Sequence, residues 1–253
     1  MKTTVKTSLY DNGQKKNEGN EKGGKLEGLW TSWYKCGQKE WEGNYKDGKK
    51  EGLETQWHKN GQKKLEVNFK DGEQHGLKTV WYVNGQKEKE VSLKGGKSHG
   101  LNTEWYENGQ KKSETNWEYG YSEGLHTNWY ENGQKEKEVN YRDRAPEGLM
   151  TKWYENGQIR EEESWKYGQR EGPWVCWLES GQKRGEGRYK NNEWDGLMTR
   201  WHENGQKSWE ESFKVGKLHG LQTRWDENGQ KKSERHYKNG KREWLWFLTK
   251  RYR

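Results

Sequence analysis

The chain has 253 residues, of which 26% are hydrophobic and 35% are charged, and its formal net charge is +8. Such a composition excludes a large globular core and, considered alone, is typical of a disordered chain. No apolar run is long enough to span a membrane, and residues 1–10 lack the apolar segment of a signal peptide. We therefore expect a cytoplasmic protein, or a secreted one if a leader has been removed, and no membrane partner.

A glycine that recurs every 24 residues divides the chain into ten copies. These glycines are Gly13, Gly37, Gly61, Gly85, Gly109, Gly133, Gly157, Gly181, Gly205 and Gly229. Tryptophan stands four residues before nine of them, and Leu9 stands before the first. Because 18 tryptophans and 14 tyrosines fall on regular positions of the copies, the repeat overrules the prediction of disorder. It predicts a solenoid-type array in which each copy packs on its neighbours.

The sequence pattern of each copy predicts two strands and two turns. Leu101, Thr103 and Trp105 alternate with a period of two, which indicates a half-buried strand, and most copies repeat this pattern. An Asn-Gly pair commonly marks the first turn, and Asp-Gly or Asn-Gly often marks the second, because both residues tolerate a positive φ. The predicted fold class is all-β, a single-layer antiparallel β ribbon of about ten 24-residue hairpin repeats over residues 1–243.

The length of the first turn decides which side chains share a face of the ribbon. A two-residue turn at Gly37 pairs Thr31 with Glu42 and Ser32 with Trp41. A three-residue loop with a bulge is the alternative, and it would change the assignment of faces. We favour the two-residue turn because it places the repeated Leu, Thr, Trp and Glu positions together on one side, the framework face. The positions that differ between copies then form the opposite side, the variable face.

The variable face carries aromatic side chains and methionines, which are typical of protein interfaces. The candidate partner-binding residues are Trp30, Tyr34, Trp41, Tyr45, Phe69, Tyr82, Tyr106, Tyr130, Tyr141, Met150, Tyr154, Trp174, Met198 and Trp209. The last ten residues, 244–253, are predicted to form an apolar strand that either caps the ribbon or self-associates. The self-association candidates are Trp244, Leu245, Trp246, Phe247 and Leu248.

We expect no enzymatic activity, no metal site and no cofactor. No nucleophile, base and orienting group recur at a catalytic spacing, and a glutamate present in all ten copies fits a structural ladder better than an active site. His75, His99 and His219 occupy a turn position and lie too far apart to share a metal ion. Lysine and glutamate alternate without long blocks of one sign, so a nucleic-acid partner is not expected.

The segments from Gly100 to Lys112 and from Gly148 to Gln158, with Glu42 to Gly52, resemble the variant MORN repeat. The resemblance covers residues 4–243, and it is to the form of the repeat found in bacterial proteins classed as YwqK-type antitoxins. It implies a β ribbon of hairpins that acts as a protein-binding scaffold, and some members self-associate through terminal repeats or contact lipid headgroups.

Two classes of function follow from the sequence. The first is a scaffold that captures a partner protein, such as a toxin, on the variable face. The second is a structural protein that assembles end to end through its terminal strands into oligomers or filaments. Binding of glycans by the aromatic side chains is a third and weaker possibility.

Overall fold

A computed structural model describes residues 2–243, and within them all regular secondary structure is β-strand. The chain divides between residues 133 and 134 into two compact units. The predicted C-terminal strand, with Trp244 to Leu248, lies outside the described residues. None of the described residues belongs to a helix long and apolar enough to cross a membrane.

The described residues of each unit form eleven strands. The first unit contains β1 (Thr3–Leu9), β2 (Lys15–Lys22), β3 (Lys25–Trp33), β4 (Lys39–Lys46), β5 (Lys49–Trp57), β6 (Lys63–Lys70), β7 (Glu73–Trp81), β8 (Lys87–Lys94), β9 (Lys97–Trp105), β10 (Lys111–Glu118) and β11 (Tyr121–Trp129). The second contains β12 (Lys135–Arg142), β13 (Ala145–Trp153), β14 (Ile159–Lys166), β15 (Gln169–Trp177), β16 (Lys183–Lys190), β17 (Glu193–Trp194), β18 (Gly196–Trp201), β19 (Lys207–Lys214), β20 (Lys217–Trp225), β21 (Lys231–Lys238) and β22 (Lys241–Glu243).

Strands that are neighbours in sequence pair with each other in antiparallel fashion within each unit. Within the described residues this succession is interrupted at Asp195, where β17 and β18 both pair with β16. This arrangement confirms the predicted all-β antiparallel ribbon of hairpin repeats.

The first turn of each copy is a three-residue loop, so the predicted two-residue turn is wrong. In the hairpin of β3 and β4, the Tyr34 N–H donates to the Gln38 carbonyl at 2.8 Å, and the Gly37 N–H donates to the Tyr34 carbonyl at 2.8 Å. Only the glycine of this loop has a positive φ, 88°. A type I turn followed by a left-handed glycine needs one such residue, whereas the predicted turn needs two.

A bulge next to this loop restores the predicted pairing of the strands. Trp33 pairs with Lys39, but Ser32 pairs with Trp41, so Glu40 is the extra residue. The loop takes one more residue from the β3 side, and the bulge takes one more from β4. Because the two extra residues lie on opposite strands, their effects on register cancel. The strand bodies therefore keep the register that a two-residue turn would produce, and the framework and variable faces are those predicted.

The second turn is the two-residue turn expected from its Asp-Gly signal. Asp47 and Gly48 have φ of 50° and 83°, and Lys46 pairs with Lys49 across them. Positive φ at both central residues is the signature of a type I′ turn, whose twist matches that of the flanking strands.

Burial on both faces is confined to a thin row of side chains. On the framework face the repeated threonine is buried, as at Thr79 and Thr223. On the variable face Val67 and Val139 are only 1% and 2% exposed. Because each copy buries few residues, contacts between adjacent copies supply most of the packing.

Candidate functional site

The framework face is held together by one contact that recurs along the chain. The Lys39 ammonium lies 2.5 Å from the Glu42 carboxylate and 5.6 Å from the centre of the Trp57 ring, one copy further on. The same three positions interact at Lys63, Lys87, Lys111, Lys183 and Lys207. The repeated glutamate therefore belongs to a structural ladder that links each copy to the next.

One copy in the second unit lacks the cation of this ladder. Ile159 occupies the lysine position, three residues before Glu162. An isoleucine can neither pair with the carboxylate nor place a charge over Trp177, the corresponding ring of the next copy.

Ile159→Lys is expected to raise the free energy of unfolding of the second unit by about 0.5 kcal/mol, since it would restore an exposed ion pair and a cation–π contact. Urea unfolding at low ionic strength measures the change, which should shrink in high salt. Ile159→Met is the uncharged control. An equal gain in both variants would show that the charge is not responsible.

Four of the candidate tyrosines lie at the ends of strands and bond to the next copy. Their hydroxyl groups donate to the backbone carbonyl of the tryptophan 23 residues ahead, at 2.7–2.8 Å. These residues are Tyr34, Tyr82, Tyr106 and Tyr154, and Tyr130 occupies the same position after β11. Burial raises the pKa of Tyr34 and of Tyr82, which keeps the hydroxyls protonated as donors. These side chains therefore have a structural role as links between copies.

In the first unit, the candidate tryptophans of the variable face pack over glycines. The Trp30 indole covers Gly19 and donates from Nε1 to the Asn20 carbonyl at 3.0 Å. Trp41 lies over Gly43, with its ring centre 6.1 Å from that of Tyr45. A side chain on either glycine would occupy the space of the indole, so each of these tryptophans requires a glycine beneath its ring.

Lys50 connects the aromatic candidates of adjacent copies in the first unit. Its ammonium lies 5.4 Å from the Trp41 ring centre and 4.8 Å from that of Phe69. It also pairs with the buried Glu54. Burial alone would raise the pKa of that carboxyl, but hydrogen bonds from Lys50, Gln56 and Trp41 hold it below its ordinary value.

In the second unit the variable face carries a cluster of aromatic rings around Trp194. Its ring stacks on Tyr189 at 3.9 Å, meets Trp174 edge-on at 5.2 Å and lies 6.5 Å from Phe213. Gly187 lies under the Trp194 ring, as the glycines of the first unit lie under theirs. Among the sequence candidates only Trp174 belongs to this cluster.

An ion pair between a buried carboxylate and a half-exposed arginine adjoins these rings. Glu163 is only 2% exposed, and its carboxylate lies 2.9 Å from the Arg170 Nε and 3.8 Å from the Lys152 ammonium. The Nε–H bond is not aligned for a hydrogen bond, so the contact is mainly electrostatic. The Arg170 guanidinium also lies 5.5 Å from the Trp165 ring centre and 5.2 Å from that of Tyr189.

The remaining candidates of the second unit differ in exposure. Met150 and Met198 are 5% and 4% exposed, so they are core residues of the ribbon. Tyr141 is half-buried and pairs with Pro146 across β12 and β13. Trp209 lies under the Arg224 guanidinium, 3.7 Å from its ring centre.

A cavity of 340 Å³ opens beside this cluster, and we call it the arginine pocket. Its walls include the side chains of Arg160, Arg184 and Arg200, and Trp174 and Cys176 also line it. Burial raises the pKa of the Cys176 thiol, so the thiol stays protonated near neutral pH. No group of three or more His, Cys, Asp or Glu side chains within residues 2–243 is placed to hold a metal ion.

The arginines and Trp194 were absent from the sequence candidates although the sequence contains a signal for them. All twelve arginines of the chain lie beyond residue 141, while lysine supplies every non-histidine basic side chain before it. Arginine differs from lysine in its planar fork of donors, which suits carboxylates and aromatic faces. The second half of the chain therefore differs from the first in chemistry, although the repeat continues through it.

A family model described as "MORN repeat variant" matches six segments that together make up just over half of the chain. These are residues 50–71, 98–119, 122–143, 146–167, 170–191 and 218–239. No curated protein matches the chain in sequence. A solved structure titled "Crystal Structure of TcdB2-TccC3-Cdc42" is similar over 90% of this chain with 10% identity, and this chain spans 15% of that one. The TM-score is 0.21, which is too low to support a structural argument.

Proposed function

Because the chain belongs to the MORN repeat variant family, we propose that it is a non-enzymatic scaffold that binds a partner protein on its variable face. The observation that carries this proposal is the difference between the two faces. The framework face repeats the same lysine, glutamate and tryptophan contact from copy to copy. The variable face differs in each copy and offers half-buried aromatic rings with cations beside them.

The aromatic cluster around Trp194 is the preferred docking region. Aromatic and arginine side chains dominate the binding energy of protein interfaces because they bury large areas with few rotatable bonds. Tyr189, Trp194 and Phe213 lie side by side in the second unit, with Arg170 over the Tyr189 ring. A toxin is the partner that the resemblance to YwqK-type antitoxins implies, and its capture on this region would neutralise it.

Affinity capture from the native cell tests this proposal, with the product of any adjacent gene as the first candidate. Trp194→Ala is expected to lower the affinity for the captured protein about tenfold or more. Leu197→Ala is the matched control, since Leu197 is close in sequence but lies on the framework face, where it is 53% exposed. Circular dichroism checks that both variants are folded. Equal retention of the partner by Trp194→Ala would contradict docking at the cluster.

Self-assembly is the second candidate function, and the edge of β1 favours it. All seven residues of β1 are exposed, and among the described strands β1 pairs only with β2. An unpaired edge with exposed Val5 and Leu9 can add a strand from a second copy. Light scattering over a range of concentrations separates the two functions. Growth of mass with concentration indicates assembly, and a constant mass with a bound partner indicates capture.

A further inference from the structure

The arginine pocket combines three arginines from three different strands. Arg160 lies on β14, Arg184 on β16 and Arg200 on β18. At these two positions of the repeat, the first unit has lysine, glutamate or an uncharged side chain instead. The pocket is therefore specific to this part of the array.

A glycine at a position that otherwise carries a side chain provides the room. The equivalent residues of the other copies are Asn17, Trp41, Leu65, Lys89, Ser113, Lys137, Glu161, Trp209 and Ser233. A Cβ on Gly185 would lie 3.0 Å from the Trp174 ring and 3.2 Å from the Cys176 sulfur. The indole and the thiol therefore occupy the place of a side chain and form the apolar part of the pocket wall.

The lining of the pocket carries a net positive charge, since it contains three arginines and one carboxylate, that of Glu161. None of its three guanidinium groups forms an ion pair within 4.0 Å with a residue in the range 2–243. The carboxylate in the wall, Glu161, is already bonded to the Lys152 ammonium at 2.8 Å and to the Trp174 indole N–H at 2.7 Å. Unpaired guanidinium groups beside an indole favour an anionic ligand that also carries an apolar group.

We propose that the arginine pocket binds a carboxylate of an acidic segment of the partner protein, with an apolar side chain of that segment against Trp174. This inference rests on the proposed capture function and identifies the chemistry of the partner. The guanidinium forks of Arg184 and Arg200 would donate to the carboxylate, and Arg160 would add to the positive field. A volume of 340 Å³ accommodates one or two side chains, not a folded domain.

Protection of Cys176 from alkylation measures occupancy of the pocket. The chain has two cysteines, so Cys36→Ser leaves Cys176 as the only thiol in the full-length protein. The rate of reaction with iodoacetamide is followed at one pH and one ionic strength. The probes are the blocked peptide acetyl-Phe-Glu-Glu-amide, its glutamine counterpart acetyl-Phe-Gln-Gln-amide, and inorganic phosphate.

The glutamate peptide is expected to slow alkylation severalfold at saturation, and the glutamine peptide to leave the rate unchanged. Arg184→Gln and Arg200→Gln should each raise the concentration for half-protection about tenfold, the loss expected for one charge-assisted contact. Arg188→Gln is the control, because Arg188 lies on the same strand as Arg184 but does not line the pocket. Each variant is compared with its own rate without peptide.

Several results would overturn the inference. Protection by phosphate but not by the glutamate peptide would assign the pocket to phosphate, and protection by neither would show that it holds no such anion. Equal protection by both peptides would show that charge is not recognised. If the Arg184→Gln and Arg200→Gln variants capture the partner as well as the unsubstituted protein does, the capture function stands. The result would then refute binding of the partner through the arginine pocket. Peptide protection without any captured protein would refute the capture function, and with it the partner named here, while the anion site of the pocket would stand.

Discussion

Gly19→Val is expected to lower the free energy of unfolding of the first unit by about 3 kcal/mol, the upper range for overpacking. An ideal Cβ at this position lies 2.1 Å from the nearest atom of the Trp30 indole. The ring would have to move away and would lose its 3.0 Å hydrogen bond to the Asn20 carbonyl. Urea unfolding followed by circular dichroism measures the change.

The double variant Gly19→Val/Trp30→Met supplies the control for this prediction. It reproduces a pair that the chain already uses, because Val139 and Met150 occupy the equivalent positions and are 2% and 5% exposed. The second substitution should recover most of the lost stability, since it removes the clash and keeps the site filled. An unchanged unfolding midpoint in Gly19→Val would show that the indole does not require the glycine.

Arg170→Met is expected to destabilise the second unit by about 2 kcal/mol, less than the loss for a fully buried ion pair because the Arg170 side chain is 41% exposed. The substitution leaves the carboxylate of Glu163 buried with only Lys152, 3.8 Å away, beside it. It also removes the cation from the faces of Trp165 and Tyr189. The midpoint of urea unfolding is again the measurement.

A second substitution distinguishes the effect of the unpaired carboxylate from the effect of the lost cation–π contacts. Glu163→Val in the Arg170→Met background removes the unpaired carboxylate, and Val67, Val91 and Val139 show that the position accepts valine. If the buried charge is the cause, the double variant should be markedly more stable than Arg170→Met, since a packed apolar pair replaces a buried ionic one without loss. Equal stability of the two variants would assign the effect to the lost cation–π contacts.

The strands and the second turn are predictable because they depend on local sequence. Alternation at Leu29, Thr31 and Trp33 indicates β3, and the Asp47-Gly48 pair indicates the type of turn between β4 and β5. The first turn was predicted wrongly because an Asn-Gly signal is compatible with a two-residue or a three-residue loop. The predicted faces are nevertheless correct because a bulge outside the loop, at Glu40, restores the register.

The candidate site was predicted only in part. Of the sequence candidates, only Trp174 lies in the aromatic cluster around Trp194, and the signal for it is an aromatic residue at a variable position, which is typical of interfaces. Tyr34 and Tyr82 were also candidates, but their hydroxyls bond to backbone carbonyls one copy away. A tyrosine that recurs at one position of the repeat does not indicate whether its hydroxyl faces solvent or a neighbouring copy.

The sequence by itself determined the array of two-stranded copies, since the 24-residue period and the two-residue alternation are properties of contiguous segments. Only the tertiary structure decided which side chains of different copies meet. The match of indole to glycine at Gly19 and Gly185, and the grouping of Arg184 and Arg200, join residues on different strands. Their fit depends on the volume and charge of both partners, which a repeat pattern does not specify.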